Sequence, residues 1–321
     1  MLAQPLLSVR NFTLEYKTRK GYVSAVDDVS FDLMPGQAMG LVGESGCGKT
    51  TIAMALLRLS PDNAVTRQGQ ILLDGQDLLT MSEGQMRDVR WARVSMVFQA
   101  AMNALDPVYR VGDQIIEALD RHKTDLSLEQ KRTCVAELFK LVGIDTKMIS
   151  RYPHEFSGGM RQRAVIAMAL ACSPSLIIAD EPTTALDVIV QDQILRELTR
   201  IQKALNMSMI YISHDIAVIA EVAEIIGVMY AGCLVEKADT RTIFQSPHHR
   251  YTKALLSAFP SIAGPKSELL ALPGDPPDLL LPPRGCRFHP RCAHAMGRCL
   301  KEKPPMQQVG DTHWAACWNP L

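Results

Sequence analysis

Apolar and polar positions alternate in short runs over the first part of the chain, a pattern typical of half-buried strands. A fully apolar run then predicts a buried strand, and Pro35 with Gly36 marks the turn before it. The predicted elements are strands at residues 7–10, 12–16, 29–33 and 38–42, and one arm of a β-hairpin at 69–75. The chain therefore opens with a β-rich region.

Further along the chain the apolar spacing becomes helical, while short buried strands recur. The pattern predicts helical segments at residues 52–57, 107–141 and 164–171, and strands at 94–99, 176–181 and 210–215. Each of the three later strands ends in polar side chains, the positions at which an open α/β sheet carries its ligand site. The alternation predicts an α/β fold with a helical insert.

The phosphate-loop motif G-x-x-x-x-G-K-[ST] lies between the first buried strand and the first helix. Its residues are Gly43, Glu44, Ser45, Gly46, Cys47, Gly48, Lys49 and Thr50. Glycines let successive backbone N–H groups turn inward around an anion, and the helix N-terminus adds further N–H groups. We expect Lys49 to reach the β- and γ-phosphates and the Thr50 hydroxyl to bind Mg²⁺. The strand–turn–helix context favours this interpretation over a glycine turn that binds nothing.

A second glycine turn and a pair of acids follow. Residues 157–159, Ser-Gly-Gly, precede a helix and again present N–H groups, although the same sequence also makes an ordinary helix cap. Asp180 and Glu181 end a buried strand, with exposed loop acids as the alternative. We expect Asp180 to hold Mg²⁺ through its water shell and Glu181 to orient a water beside the γ-phosphate.

Charge and hydropathy narrow the class of protein. The chain has 34 basic and 34 acidic residues, and this zero net charge argues against broad nucleic-acid binding through a basic surface. No uncharged apolar stretch reaches the about 18 residues of a membrane span, and the N-terminus lacks the pattern of a signal peptide. We therefore expect a cytoplasmic protein whose membrane role, if any, comes through a partner.

Four of the eight cysteines crowd the proline-rich end of the chain, a segment with little core of its own. They are Cys286, Cys292, Cys299 and Cys317. Four thiolates suit either Zn²⁺ or a [4Fe–4S] cluster, and the paired spacing of zinc ribbons is absent, which favours the cluster. Zn²⁺, substitution of one ligand by His289, His294 or His313, and four unligated thiols remain alternatives.

In their order along the chain, these motifs resemble those of ABC-transporter ATP-binding subunits over about residues 6–255. The counterparts are 43–50 for the Walker A loop, Gln99 for the Q-loop, 156–160 for the LSGGQ signature, Asp180 and Glu181 for Walker B, 185–187 for the D-loop, and His214 for the switch histidine. Two flanks of the signature depart from the pattern, Phe156 for Leu and Met160 for Gln, and Ala100 and Ala101 stand where relatives often carry Asp-Pro.

The end of the chain resembles the dipeptide/oligopeptide importers within that family. The similarity lies in residues 246–256, where Arg250 replaces a usual proline, and in the cysteine-bearing segment. The resemblance implies a P-loop NTPase core with an antiparallel β subdomain and a helical subdomain at about 100–170. It divides the chain into an ATPase domain at 1–255 and an extension at 256–321, and it favours the [4Fe–4S] cluster in that extension.

The resemblance also implies roles for individual residues. Glu181, His214 and Gln99 are expected to be catalytic, and Thr50, Gln99 and Asp180 to bind Mg²⁺. The residues expected to contact ATP are Tyr16, Gly43, Glu44, Ser45, Gly46, Cys47, Gly48, Lys49, Thr50, Thr51, Asp180 and Asp187, together with the partner-facing Ser157, Gly158 and Gly159. Tyr16 and Tyr22 are both available to stack on a base.

The implied partners are a homologous second ATPase subunit, two integral membrane permeases and, through them, an extracytoplasmic substrate-binding protein. The chain would then sit peripherally on the cytoplasmic face of the inner membrane. The alternatives are a nickel or other small-solute importer of the same branch, an ABC ATPase acting on DNA or ribosomes, and a regulatory module that binds ATP without turnover. An intact Glu181 and His214 argue against the last of these.

Overall fold

The computed structural model describes residues 4–99, 104–184, 186–258 and 272–321. Ala100, Ala101, Ala185 and part of the predicted extension, 259–271, lie outside the described residues. The chain forms two compact units. Unit 1 comprises Met1–Leu33, Ala38–Leu79 and Ile212–Leu321, and unit 2 comprises Met34–Gln37 and Thr80–Tyr211.

Strands and helices follow one another as an α/β chain. The strands are β1 (Leu7–Thr18), β2 (Gly21–Leu33), β3 (Ala38–Val42), β4 (Ala64–Leu73), β5 (Gln76–Asp77), β6 (Val94–Val97), β7 (Leu176–Asp180), β8 (Ser208–Ser213), β9 (Ile225–Tyr230), β10 (Cys233–Asp239), β11 (Gln307–Gln308) and β12 (Trp314–Ala315). The helices are α1 (Lys49–Leu56), α2 (Glu83–Val89), α3 (Val111–His122), α4 (Leu128–Leu141), α5 (Gly158–Leu170), α6 (Val188–Ala204), α7 (Ile216–Val222), α8 (Thr240–Gln245), α9 (Arg250–Ser257) and α10 (Gly297–Lys301). None of these helices has the length and apolar character needed to cross a bilayer.

Unit 1 contains an antiparallel sheet of four strands in the order β2-β1-β4-β5. The two strands predicted at 7–10 and 12–16 are one strand, β1, whose register shifts between Val9 and Phe12. Asn11, between them, has a φ of 45°, and such an irregularity bends a strand without ending it. Apolar side chains of this sheet, including Phe12 and Phe31, are fully buried.

The second sheet region of unit 1 has the order β11-β12-β10-β9-β3. β3 pairs in parallel with β9, whereas β9, β10, β12 and β11 pair antiparallel. All five residues of β3 are buried, as its apolar sequence predicts. The last two strands come from the cysteine-bearing end of the chain, which therefore belongs to the same unit as the phosphate loop.

Unit 2 contains three strands in the order β6-β7-β8, with the last two residues of β8 falling in unit 1. β6 and β7 run in parallel, with Val94 opposite Leu176. The helical segment predicted at 107–141 forms two helices, α3 and α4, because Ser127 and Gln130 make a capping box that starts α4 afresh. Ile115 and Phe139 bury the apolar faces of these helices.

Candidate functional site

The phosphate-loop sequence joins β3 to α1 in unit 1, and α1 begins at Lys49, three residues before the predicted start. Gly48 precedes the helix with a φ of 100°, and a Cβ there would collide with the carbonyl oxygen of Ala25. A Cβ at Gly43 would similarly meet the carbonyl oxygen of Met229. Only glycine satisfies both constraints, so the tight approach of strand, loop and helix depends on these two positions.

Lys49 lies inside the loop, with only 6% of its surface exposed. Its ammonium group donates hydrogen bonds to the carbonyl oxygens of Gly43, at 2.7 Å, and Glu44, at 3.0 Å. The side chain thus lies within the turn that the backbone N–H groups form. Cys47 is also buried, and burial raises the pKa of its thiol, as expected of a small space-filling side chain.

The carboxylate of Glu44 contacts a residue from the other end of the chain. Arg291 donates from Nη1 to Oε2 at 2.7 Å and from Nη2 to Oε1 at 3.0 Å, a bidentate pair. The backbone N–H of Glu44 donates to the hydroxyl of Tyr251 at 3.0 Å. Sequence reasoning missed Arg291 and Tyr251, because nothing in their local sequence signals a contact so far away.

The structure distinguishes the two tyrosines that the sequence left open. The hydroxyl of Tyr16 donates to Thr51 Oγ1 at 3.2 Å, which places its ring beside α1 and the phosphate loop. The face of Tyr22 is instead covered by the guanidinium of Arg67, 4.2 Å from the ring centroid. Tyr16 is therefore the better candidate to stack on a base. Ser45 and Thr50 are exposed at the loop surface.

The two acids after β7 lie in unit 2. Asp180 ends the strand and is 1% exposed. Glu181 follows with a φ of 45°, a left-handed conformation that is costly for a residue other than glycine and is often found at functional sites. Its Oε2 accepts hydrogen bonds from Gln99 Nε2 and Thr184 Oγ1, both at 3.0 Å. Gln99 and Glu181 are thus brought together, and Thr184 is a third member that sequence reasoning missed.

Unit 2 also brings together the serine–glycine turn and the segment before α6. Ser157 is exposed and caps α5, accepting a hydrogen bond from the Met160 backbone N–H at 3.3 Å. Asp187 caps α6 in the same way through Val190. A Cβ at Gly159 would lie 3.0 Å from the side chain of Val190, so the two helix starts are close neighbours.

The signature departures fit their surroundings. Phe156 is buried, as an apolar replacement should be, and Met160 contributes its backbone N–H to the cap. His214 is exposed and directly follows β8, in unit 1. Next to it, Asp215 caps α7 through the backbone N–H of Ala217 at 2.8 Å.

The four C-terminal cysteines line one small cavity, together with His289 and His294. The backbone N–H of Cys286 donates to the carbonyl of Cys299 at 2.8 Å, which brings these two ends of the segment together. Burial, and the proximity of the other three thiols, raise the pKa of Cys286 to about 12. The four thiols are therefore near neighbours.

His313, a predicted alternative ligand for that site, lies elsewhere. Its Nε2 is 2.6 Å from Oε1 of Glu236, a fully buried carboxylate. Glu236, His248 and His313 each offer an atom that could bind a metal ion, and these atoms lie within 4.8 Å of one another. Among the described residues, this is the group of three with that spacing. The backbone N–H of His248 also donates to Glu236 at 2.6 Å, so hydrogen bonds join this group.

Comparisons with known proteins agree with this geometry. The family described as "ABC transporter" matches residues 26–184, and the "Oligopeptide/dipeptide transporter, C-terminal region" matches residues 235–299. The Bacillus subtilis oligopeptide transport ATP-binding protein OppD is 44% identical, over 98% of this chain and 88% of that protein. The dipeptide transport ATP-binding protein DppD of the same organism is 45% identical, over 98% of this chain and 95% of that protein.

Solved structures show the same fold. The ATP-binding cassette MJ0796, solved as a dimer in a post-hydrolysis state bound to ADP and Pi, has a TM-score of 0.66 and 25% identity. The match covers 73% of this chain and 99% of that one. The predicted ABC ATPase fold is thereby confirmed. The chain belongs to the ABC-transporter ATPases, in the group of oligopeptide and dipeptide transport ATP-binding proteins.

Proposed function

We propose that this chain hydrolyses ATP to energise a membrane importer of dipeptides or oligopeptides. The observation that carries the proposal is similarity over nearly the whole length to proteins named for that transport, including the C-terminal region specific to them. The ATPase part of the function follows from the family. The assignment of peptides as the imported substrate depends on what the similar proteins are named for.

The residues proposed to bind MgATP carry chemical groups that suit it. Lys49 and the N–H groups of the glycine turn would bind the β- and γ-phosphates. The hydroxyl of Thr50, the amide of Gln99 and the carboxylate of Asp180 are hard oxygen donors, which fit Mg²⁺. When bound, this ion neutralises charge on the phosphate oxygens. Glu181, oriented by Gln99 and Thr184, would position the attacking water and accept its proton.

The serine–glycine turn would cover the nucleotide bound to a second subunit. Ser157, Gly158 and Gly159 present an exposed helix N-terminus, and such a terminus attracts the γ-phosphate through unpaired N–H groups and the helix dipole. The dimeric MJ0796 cassette supports a paired arrangement. We propose a homologous ATPase as the partner, with Asp187 at the shared surface and His214 sensing the γ-phosphate.

A groove in unit 2 suits a permease. Its lining combines charged and apolar side chains and includes Arg87, Trp91, Glu117, Arg121 and Met168. The Trp91 indole N–H donates to the Met168 carbonyl at 2.9 Å, which fixes one wall. We propose that a cytoplasmic helix of a permease binds here and holds the chain at the inner face of the membrane. Two permeases would in turn engage the extracytoplasmic substrate-binding protein.

The four cysteines fit a metal centre, because all of them line one cavity. Four thiolates suit either Zn²⁺ or a [4Fe–4S] cluster, and the paired spacing of zinc ribbons is absent from the sequence. We propose a [4Fe–4S] cluster that staples the extension. Absorption at about 400 nm with iron analysis on anaerobically purified protein tests it, and zinc without iron contradicts it.

The proposed function is tested by reconstituting the chain with its second ATPase subunit, both permeases and the substrate-binding protein in vesicles. We expect peptide-loaded binding protein to stimulate ATP hydrolysis and peptide to accumulate inside. Nickel-dependent stimulation without a peptide response would favour the nickel importer instead. Stimulation by DNA or ribosomes, with no binding to permeases, would contradict a transport role.

A further inference from the structure

The loop between Cys286 and Cys292 is attached to the phosphate loop and its surroundings at three separate points. Between the two cysteines lie Arg287, Phe288, His289, Pro290 and Arg291. Three of these five side chains, those of Arg287, Phe288 and Arg291, contact groups that hold residues 43–49. All of these residues belong to unit 1.

The first attachment is the bidentate pair of Arg291 with Glu44, at 2.7 and 3.0 Å. The Arg291 side chain is only 5% exposed, and the Glu44 side chain 27%. Arg291 Nη1 also donates to the hydroxyl of Tyr230 at 3.3 Å, and Nε donates to the carbonyl of Pro273 at 2.8 Å. A buried guanidinium held at several points fixes Glu44, and with it the first turn of the phosphate loop.

The second attachment is aromatic. Phe288 is buried and packs edge-on against Tyr230 and Tyr251, with ring centroids 5.2 and 5.4 Å apart. The hydroxyl of Tyr251 accepts the backbone N–H of Glu44. Phe288 therefore supports the side chain that binds the loop backbone directly.

The third attachment passes through the turn between β9 and β10. The buried guanidinium of Arg287 donates to the carbonyl of Ala231 and forms an ion pair with Asp27 at 2.8 Å. Gly232, which follows Ala231 in the chain, donates its N–H to the carbonyl of Cys47 at 3.0 Å. Arg287 thereby fixes the segment that supports the middle of the phosphate loop.

We propose that this loop is a clamp that positions the phosphate loop, so that filling of the four-cysteine site and binding of MgATP strengthen each other. Arg291 is the positioning residue with the most direct contact. Cys286 and Cys292, which flank the loop, are both ligands in the proposed centre. The centre therefore fixes the two ends of the loop and, through them, the three attachments. The coupling rests on the proposed metal centre, whereas the positioning role of Arg291 does not.

The test measures the affinity of the full-length chain for MgATP with a fluorescent ATP analogue. Cluster-loaded protein is compared with protein stripped by a chelator, and iron content and helical signal are recorded for both. We expect stripping to weaken affinity about tenfold, the usual scale of coupling between two sites. Reciprocally, MgATP should slow removal of iron by the chelator.

Two variants identify the route of the coupling. Arg291→Met should weaken MgATP binding about tenfold, and Arg291→Lys, which keeps the charge but not the bidentate geometry, should have an intermediate effect. Glu44→Ala, distant in sequence from the cysteines, should retain iron, and stripping should change its affinity less than it changes that of wild type, because only the first of the three attachments is lost. Arg284→Met, at an exposed position two residues before Cys286, is the matched control and should behave as wild type.

The outcomes separate the hypotheses. Equal affinity of loaded and stripped wild type would overturn the coupling, and wild-type affinity in folded Arg291→Met would overturn the positioning role. Purified protein without metal would refute the cluster and the coupling together, while the Arg291 comparison still decides the positioning role. Wild type that binds no MgATP at all would instead refute the proposed ATPase function.

Discussion

The side-chain amide of Gln99 and the carboxylate of Glu181 are joined by a hydrogen bond of 3.0 Å, although 82 positions separate them in sequence. β6 ends just before Gln99 and β7 just before Glu181, and these strands are parallel neighbours. Their carboxyl ends therefore lie side by side, and the contact is a direct product of the sheet order. An amide that donates to the carboxylate fixes its orientation at the edge of the sheet.

Replacing Glu181 with Gln should stop ATP turnover while leaving MgATP affinity near that of the wild type. The amide keeps the size of the side chain but cannot accept a proton, so we expect a loss of about 10²-fold or more in hydrolysis rate. The rate is measured with the partner ATPase present. Glu221→Gln, an exposed acid on α7, serves as the control and should keep the wild-type rate. Normal turnover in Glu181→Gln would remove this residue from catalysis.

Removing one cysteine of the cavity should release the metal centre. Cys299→Ser is expected to lose most bound iron and to lower the melting temperature, because the extension has little core of its own. Cys134→Ser lies on α4 in unit 2, away from the cavity, and should keep both. The two variants are compared by iron analysis and thermal unfolding. Equal iron in both would contradict the assignment of Cys299 as a ligand.

Reversing one charge in the groove of unit 2 should detach the chain from its permeases. Glu117 is exposed and lines that groove, so Glu117→Lys is expected to reduce co-purification with the permeases about tenfold by placing a new charge at the contact. ATP affinity of the isolated chain should not change. Glu137→Lys, an exposed acid on α4, makes the same charge change outside the groove lining and should leave co-purification intact. Identical losses would point to a general charge effect.

The cap of α8 predicts a pH-dependent stability. Asp239 accepts from the backbone N–H of Thr242 at 2.9 Å and from its hydroxyl at 2.6 Å, and these bonds hold the pKa of Asp239 below its usual range. A carboxyl whose pKa is lowered by folding stabilises the folded protein at pH values above the unfolded pKa of about 3.9. This stabilisation is lost as the pH falls through the folded pKa. Asp239→Ala should therefore cost about 1 kcal/mol at pH 7.

The measurement is the urea midpoint of wild type and Asp239→Ala between pH 7 and pH 3. The difference should shrink as the pH falls below about 4, because the protonated carboxyl caps less well. Asp239→Asn keeps an acceptor without the charge and should show a smaller difference that does not change with pH. A constant difference for Asp239→Ala would mean that the ionised cap does not stabilise α8.

Local motifs could be predicted from the sequence because each depends on a short stretch. The apolar residues of β3 and the glycines after it specify a strand, a turn and a helix within a few positions. The same reasoning was wrong for β1, where the irregularity at Asn11 looked like a break between two strands. A sequence pattern shows that regular alternation stops but does not distinguish a bulge from a turn.

Contacts between distant residues could not be predicted in this way. Nothing around Arg291 indicates that it pairs with Glu44, because the pairing depends on how the end of the chain folds back. His313 illustrates the opposite error. The sequence leaves His313 open as a substitute for one ligand of the cysteine site, whereas β12 pairs with β10 and so carries His313 to Glu236. Register across a sheet decided the partner, and spacing along the chain did not.

The pairing of β10 with β12 has a practical consequence for anyone shortening this protein. Glu236 and Lys237 face Ala315 and Trp314 across the ladder, so a version ending near residue 258 would leave one side of β10 without its neighbouring strand. Exposed strands of this kind recruit other chains and promote aggregation. The buried Glu236 would lose His313 as well. An ATPase fragment that ends near residue 258 should therefore be recovered mainly in inclusion bodies.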